Sequence, residues 1–287
     1  MPGSASVIFT AAYQERQYIK TRERGTRIYI KRGNGMSERK SRRGAGLLFK
    51  IIVVILLCII GFSLYKIITI GHGYMEGRET YTEIAEEAGT VEDAKAEKDD
   101  VKVEFDKLRK KYPDVKAWIY SKGTIINYPV AQGRDNEWYL HRTLDGLWNG
   151  AGTLFIDKNN AKPFKDFLTI IYGHHMRDGS MFGSLVKYRD DDYYQKHKTL
   201  RLYTPKQNYD LEVIGVCTIP ADSGMYKFDF ASDEEKANYI KWIEQTTETE
   251  CDVHAGIDDR LVMLSTCTYE FDDARLVVFC RIVPDQE

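Results

Sequence analysis

One uninterrupted apolar segment constrains this chain more than any other feature. Residues 51–65 read IIVVILLCIIGFSLY without a charge, and the apolar stretch runs from Leu47 to Ile70, interrupted only by Lys50 and Lys66. A helix rises about 1.5 Å per residue, so this length crosses a hydrocarbon core of roughly 30 Å. The two lysines can extend toward the lipid headgroups. The segment predicts a transmembrane helix over residues 47–70.

A cleaved signal peptide is the alternative interpretation of this segment. No small-residue cleavage site follows it, and it is longer than the apolar region of a typical signal peptide. We therefore favour an anchor that stays in the protein.

Charge differs sharply on the two sides of the predicted span. Residues 1–50 carry a net charge of +9, whereas residues 71–287 carry −12. The positive-inside rule predicts a basic cytoplasmic tail over residues 1–46 and an extracellular C-terminal part. A basic tail beside a span favours a topology signal over nucleic-acid binding.

Met36 begins the sequence MSERKSRRGAGLLFK, which is by itself a complete short cytoplasmic segment before a membrane helix. Our hypothesis is that translation starts at Met36.

Beyond the span, residues 71–100 are rich in Glu, Ala and Lys and predict a charged stalk with a break at Gly89. Residues 101–287 begin with a short helical segment, VEFDKLRKKYPDV, and continue as short strand-like runs. We count eight such runs, starting near residues 117, 124, 152, 167, 199, 209, 260 and 275. Regular short strands predict a mainly β domain, either a closed barrel or a sandwich.

One longer helix interrupts the strands, between the sixth and the seventh. It reads SDEEKANYIKWIEQTT, where Ser232 and Glu235 have the spacing of a capping box. Shorter helical turns are predicted at NEWYLH and SMFGSLVKY.

Five cysteines, an odd number without a C-x-x-C pair, do not indicate a disulfide framework. Cys58 falls in the predicted span, whereas Cys217 and Cys280 fall in apolar runs and are interpreted as small buried hydrophobes. Cys267 differs because it ends one apolar run in the sequence LSTCTYEFDDAR. A cysteine reacts as its thiolate, which requires a nearby base or positive charge.

His174 is the best candidate for that base. It follows FLTIIYG, so a strand ending at a glycine presents it at the edge of the predicted sheet structure. The adjacent His175 points to the opposite side, and the spacing disfavours a zinc site. The remaining histidines lie in polar segments and are predicted at the surface: His72, His141, His197 and His254.

Arg275 is the candidate positive charge. Seven residues separate it from Cys267, so two flanking strands predict an antiparallel hairpin with both residues at one rim, roughly 5 Å apart. A guanidinium there can bind substrate carbonyls and stabilise an oxyanion. The alternative is that Arg275 only pairs with Asp272 or Asp273 in the turn.

These motifs resemble the sortases, the membrane-anchored cysteine transpeptidases of Gram-positive bacteria, and specifically class B. The similarity covers about residues 101–285, including YPDVKAWIYSKGTIINYPVAQGRDNEWYL, IIYGHHMRDGSMFGSL and LSTC. The family motif Thr-Leu-x-Thr-Cys has Met263 in its first position here, a departure that concerns packing in a strand. The resemblance implies an eight-stranded sortase-type barrel with short N-terminal helices and a helix between strands 6 and 7.

The resemblance also implies residue roles. Cys267 corresponds to the nucleophile, His174 to the general acid/base, and Arg275 to the residue that binds substrate and stabilises the oxyanion. Ser265 and Thr266 correspond to positions beside the substrate, and His175 has no expected role. No metal and no cofactor are implied.

The expected reaction cleaves a C-terminal sorting signal after threonine and transfers the surface protein to a peptidoglycan amine. A pilin-polymerising enzyme that uses a pilin lysine is the first alternative. A membrane-tethered β-barrel binding module without catalysis is the second. Signals resembling Asn-Pro-Gln-Thr-Asn and Ser/Pro-Pro-x-Thr-Gly both remain open.

Overall fold

The computed structural model describes residues 38–89 and 101–285. The predicted tail up to residue 37, including Met36, and stalk residues 90–100 lie outside this range. The first helix, α1, spans Glu38–Glu87. Within it, Gly46–Thr69 has a mean hydropathy of 2.9 and none of its most apolar window is buried. By length and composition this segment can cross a membrane, in agreement with the predicted span.

The eight predicted strands are confirmed, and they close into a barrel in the order β1-β2-β3-β4-β7-β8-β6-β5. The barrel belongs to the second of two compact units, Gly61–Glu287. The strands are β1 Val115–Tyr120, β2 Asn127–Ala131, β3 Leu154–Ile156, β4 Leu168–Tyr172, β5 Thr199–Tyr203, β6 Asn208–Pro220, β7 Arg260–Cys267 and β8 Ala274–Pro284.

Strand direction brings three strand ends to the same rim. Strand β4 pairs with β7 in parallel, so Tyr172 at the end of β4 lies opposite Ser265, close to the end of β7. Strand β7 pairs with β8 antiparallel, which places the start of β8 beside the end of β7. The rim formed by the ends of β4 and β7 and the start of β8 is called the catalytic rim below.

Alternate residues of the strands fill two apolar clusters. In β7, Val262 and Leu264 pack into the larger cluster. Leu261 and Met263 belong to the smaller cluster, which also contains residues of the helix between β6 and β7. This alternation is the period-2 pattern that predicted the strands. Both strand cysteines are buried, which confirms their interpretation as small hydrophobes. Burial raises the pKa of Cys217 to about 12 and also raises the pKa of Cys280.

The predicted helices are present as well. Helix α2 is Phe105–Lys111 and α4 is Asp233–Thr246. The short helix α3, Asp191–Lys196, was not predicted. Two 3-10 turns, Trp138–His141 and Gly183–Arg189, occupy the two segments predicted as short helical turns.

Helix α4 begins with half of the predicted capping box. Ser232 Oγ accepts a hydrogen bond from the Glu235 amide at 3.3 Å, but the Glu235 carboxylate turns to the Ala231 amide at 3.1 Å and to Lys227. The helix packs closely on β6, since a Cβ at Gly215 would lie 2.5 Å from a methyl group of Ile243. Glycine therefore permits this approach.

The C-terminal turns of α1 pack against the barrel. Tyr81, Ile84 and Ala88 are buried in the larger cluster. The Tyr81 hydroxyl bonds the carbonyl of Gly152 at 2.5 Å and the hydroxyl of Thr153 at 2.8 Å. The described chain leaves the helix at Gly89, whose φ of +75° is a conformation that glycine tolerates best. This part of the predicted stalk is thus a packed helix.

Candidate active site

Cys267 and Arg275 face each other across the β7–β8 hairpin, as the spacing predicted. They form the last paired position of the ladder, with Cys267 at the end of β7 and Arg275 one residue into β8. The Thr268 amide donates to the Ala274 carbonyl at 3.0 Å and closes the turn, and Asp273 has a φ of +59°. Both side chains are half-buried at the catalytic rim.

The turn after Cys267 is attached to the barrel wall through Arg189. This guanidinium forms ion pairs with Glu270 in the turn and with Glu248 at 2.9 Å, and it donates to Thr218 Oγ1 at 2.6 Å. The hydrogen bond from Thr268, supported by Arg189, lowers the pKa of Glu270 to about 2. The turn therefore keeps its negative charge and its attachment at neutral pH.

His174 reaches the catalytic rim one residue beyond the parallel pairing. The Gly173 amide donates to the Ser265 carbonyl at 3.0 Å, which extends the β4–β7 ladder to the residue before His174. His174 Nε2 lies 2.6 Å from the Leu140 carbonyl. A carbonyl oxygen only accepts, so Nε2 carries the hydrogen and Nδ1 is the nitrogen free to exchange a proton. Burial lowers the pKa of His174, the hydrogen bond to the Leu140 carbonyl opposes this effect, and the charge of His141 adds to it.

His141 was predicted at the surface, and that prediction is wrong. Its half-buried ring stacks on His174 with 5.3 Å between centroids and 23° between planes, and it also contacts Trp148 at 5.0 Å. The 3-10 turn Trp138–His141 curls over the rim, a tertiary placement that no apolar periodicity signals. His197 is likewise half-buried, against Tyr193.

His175, for which the sequence suggested no role, contacts the nucleophile candidate directly. Its Nδ1 donates to the Cys267 carbonyl at 2.7 Å, and its ring lies 5.5 Å from that of Tyr269. Adjacent residues on an extended chain point to opposite sides. His174 consequently bonds the 3-10 turn at Leu140, whereas His175 bonds the end of β7 at Cys267.

Ser265 and Thr266 have contrasting environments. The Ser265 hydroxyl bonds the Tyr226 hydroxyl at 2.9 Å. The Tyr226 ring stacks on Tyr172, at 6.1 Å, whose hydroxyl donates to Asp157 at 2.9 Å. Thr266 is buried, and its Oγ1 has no hydrogen-bond partner among the described residues. Tyr226 was missed by the sequence reasoning, although the aromatic loop GMYKFDF contains it.

The charge of Arg275 acts on the hydroxyls of Tyr172 and Tyr226. Its Nη1 donates to the Ala274 carbonyl at 3.0 Å, and among the described residues it forms no ion pair with Asp272 or Asp273. Burial raises the pKa of Tyr226, an effect that the Ser265 bond and the Arg275 charge oppose and the Cys267 side chain reinforces. Arg275, Cys267 and Tyr226 thus share one electrostatic environment.

Within the described part of the chain, no group of three or more His, Cys, Asp or Glu side chains is arranged to hold a metal ion. The arrangement at the rim is that of a cysteine, an imidazole with a defined tautomer and a guanidinium. Such a group can perform acyl transfer through a covalent intermediate.

Comparisons with known proteins agree with this chemistry. The family model of the sortase domain matches residues 121–283. Sortase B of Listeria monocytogenes is 33% identical over 186 residues, which cover 64% of this chain and 76% of that protein. Sortase B of Staphylococcus aureus is 28% identical over 244 residues, covering 82% of this chain and 95% of the relative.

Solved structures of sortase B superpose on the barrel. The B. anthracis sortase B in complex with AAEK1 has a TM-score of 0.65 and 32% identity, and the match covers 75% of this chain and 99% of that one. The S. aureus sortase B–substrate complex has a TM-score of 0.60 and 30% identity, with coverages of 63% and 85%. Since the family model spans more than half of the chain and the fold agrees, this chain belongs to the sortase family, in its class B branch, and is a cysteine transpeptidase.

Proposed function

We propose that this transpeptidase is anchored in the cell membrane, cleaves a C-terminal sorting signal after threonine and transfers the protein to a peptidoglycan amine. The observation that carries the proposal is the pairing of Cys267 with Arg275 at the rim where the Leu140 carbonyl orients His174. Each of the three residues is placed by main-chain hydrogen bonding of the barrel. Rigid placement of this kind is what a catalytic group requires.

In the first half-reaction, the Cys267 thiol gives its proton to His174 Nδ1, and Sγ attacks the threonine carbonyl carbon. The Arg275 guanidinium donates hydrogen bonds to the oxyanion, and the C–N bond then breaks. His174 gives a proton from Nδ1 to the leaving amine, because its Nε2–H is occupied by the Leu140 carbonyl. The product is a thioacyl enzyme in which the surface protein is linked to Cys267.

In the second half-reaction, an amine attacks the thioacyl carbon and His174 Nδ1 accepts its proton. The thiolate of Cys267 leaves, and a new amide bond joins the two partners. Attack by water instead gives hydrolysis, so the same site also has thiol protease activity in the absence of an amine.

Ser265 and Tyr226 form the proposed wall beside the scissile bond. Their hydroxyls bond each other next to Cys267 and Arg275, where they can exchange that bond for one to the sorting signal. Thr266, the other predicted substrate-binding residue, has a buried hydroxyl, so it reaches a substrate only through its main chain. The solved complex of a relative with its substrate supports a sorting signal as the ligand class.

The proposed topology keeps the predicted segments: a cytoplasmic tail over 1–46, a span over 47–70, a stalk over 71–100 and an extracellular catalytic domain over 101–287. The exposed apolar helix Gly46–Thr69 and the charge difference across it support this arrangement. Cysteine labelling with a membrane-impermeant reagent on intact cells tests it. Labelling of a cysteine introduced at Ser37 and protection of one introduced at the exposed Gln207 would reverse the orientation.

Peptide cleavage by the full chain in detergent tests the reaction. We expect cleavage between threonine and the next residue in at least one of two probes, containing Asn-Pro-Gln-Thr-Asn or Ser-Pro-Pro-Thr-Gly, and a thioacyl adduct in the mass spectrum. Cys267→Ala should abolish both signals, whereas Cys251→Ala, the matched change at a half-buried cysteine, should retain them. Cleavage that persists in Cys267→Ala refutes the assignment.

The acceptor is tested separately. A peptidoglycan stem peptide with a free amine and a lysine-containing pilin peptide are each added to the cleavage reaction. Transfer to the stem peptide is expected, and transfer to the pilin lysine alone would instead establish the pilus-assembling alternative. Binding of the sorting signal without turnover, whichever acceptor is added, would instead support the non-catalytic binding module.

A further inference from the structure

The 3-10 turn Trp138–His141 touches the His174 imidazole through two consecutive residues. We infer that His141 is a positioning residue for His174: its stacked ring holds the catalytic imidazole against the Leu140 carbonyl and keeps the two rings from carrying charge together. This inference rests on the proposed role of His174 as the general acid/base. It adds a fourth side chain to the three that the motifs supplied.

The two contacts restrain the imidazole in complementary directions. The Leu140 carbonyl lies 2.6 Å from Nε2 and fixes the edge of the ring. The His141 ring covers a face of the same imidazole, nearly parallel to it at 5.3 Å. An edge contact alone permits rotation about the hydrogen bond, and a face contact alone permits sliding. Together they define the direction in which Nδ1 points.

His141 is itself held from the returning half of its loop. The Asn149 amide donates to the His141 carbonyl at 3.0 Å, and Arg142 pairs with Trp148 in an isolated antiparallel bridge. The Trp148 indole lies 5.0 Å from the His141 ring although it is itself 71% exposed. An exposed tryptophan on an ordered hairpin thus supports the ring that covers His174.

The charges of the two rings oppose each other. Two imidazolium groups at this separation disfavour each other. When His141 is protonated, its charge lowers the pKa of His174, in the same direction as burial. Both effects favour the neutral form of His174, which is the form that can accept a proton from the incoming amine.

The other charged or titratable groups around the stack have their own partners. In the same loop, the Arg142 guanidinium lies 4.2 Å from the Trp138 ring, and the Asp145 carboxylate accepts from Thr143. On the facing strand ends, His175 donates to the Cys267 carbonyl, and Arg275 donates to the Ala274 carbonyl. Of the charged side chains that the structure describes, His141 is the one whose charge acts on His174.

Imidazole NMR of the full chain in detergent micelles, with labelled histidine, measures the effect without any substrate. His141→Phe keeps an aromatic face and removes the charge, so the pKa of His174 should rise, because a like charge near it has been removed. His141→Gln, a second neutral variant, should raise it as well. The matched control His254→Phe changes an exposed histidine and should leave the His174 titration unchanged.

Kinetics then separate positioning from charge. In the peptide-cleavage assay, His141→Phe should keep kcat within about threefold of wild type, with the acidic limb of the kcat/KM profile displaced to higher pH. His141→Ala removes the ring face and should lower kcat by about tenfold or more, on the order expected for a misplaced catalytic group. A Tm close to that of wild type in each variant confirms that the chain is folded, and persistent labelling of Cys267 by a methanethiosulfonate reagent shows that the thiol remains accessible and reactive.

An unchanged His174 titration in both neutral variants overturns the inference. So does a His141→Ala variant with wild-type kcat. Failure of the proposed function has a different signature. Full activity in His174→Ala would remove the catalytic role of His174, whereas the effect of His141 on the His174 titration would still be measured in chains that keep His174.

Discussion

Gly173 is the position where a single methyl group most directly tests how the barrel places His174. This glycine joins β4 to His174, and its amide donates to the Ser265 carbonyl at 3.0 Å. Its φ does not lie in the left-handed region, so alanine there is allowed by the backbone. Any effect of Gly173→Ala must therefore come from packing around the added Cβ.

The expected magnitude follows from the surrounding atoms. A Cβ at this position would lie 2.6 Å from Cδ2 of Phe182 and would also overlap a methyl group of Leu154. Both neighbours are fully buried, so neither can move into solvent. Relief requires a displacement of about 1 Å, and overpacking of this kind costs about 1–3 kcal/mol. Because His174 is the next residue, a displacement of that size should lower kcat by on the order of 100-fold.

Thermal unfolding and peptide cleavage on the same preparation measure the two effects. Gly173→Ala should lower both Tm and kcat while methanethiosulfonate labelling of Cys267 persists. Gly150→Ala is the matched control, because no atom lies within 4 Å of a Cβ placed there and its φ is also outside the left-handed region. If Gly173→Ala has wild-type stability and activity, the reasoning that close packing of β4 positions the imidazole is wrong.

Three further predictions concern the rim. Arg275→Ala should lower kcat in peptide cleavage by about 100- to 1,000-fold through loss of the oxyanion donor, with Arg275→Lys intermediate, and a wild-type rate in Arg275→Ala would contradict the assignment. Tyr226→Phe leaves the buried Ser265 hydroxyl without its partner and should cost about 1–3 kcal/mol in chemical denaturation, which an unchanged denaturation midpoint would exclude. The lowered pKa of His174 means that the folded chain binds fewer protons than the unfolded chain below the ordinary value of 6.5. Stability should therefore be highest above pH 6.5 and fall as the pH drops toward the folded-state pKa, and His174→Gln should make that fall shallower in Tm measured against pH; an identical pH dependence in the variant would contradict this.

The residues that the sequence predicted correctly belong to local patterns. Alternating apolar residues predicted all eight strands, because each strand buries one or both faces in a core cluster. The opposition of Cys267 and Arg275 followed from the seven residues between them, since a short connection between adjacent strands leaves few registers open. Ser232 similarly marked the start of α4 through its capping hydrogen bond.

The residues that the sequence reasoning missed act through contacts between distant segments. His141 lies in a polar loop, yet its ring covers His174, 33 positions further along the chain. Tyr226 follows the sixth strand and bonds Ser265 in the seventh. His175 was left without a role although it bonds the Cys267 carbonyl. No local periodicity encodes such contacts, because each depends on how two loops meet after the barrel closes.

The sequence by itself determined the apolar segment that is long enough to cross a membrane, the eight strands, the helix between β6 and β7 and the candidate cysteine, histidine and arginine. These depend on interactions between residues that are near in sequence or share one strand. Only the tertiary structure decided which nitrogen of His174 carries the hydrogen, which ring covers it and which hydroxyl faces Ser265. The physical reason is that hydrogen bonds and ring contacts need atoms within a few ångströms, and for these groups barrel closure alone provides that proximity.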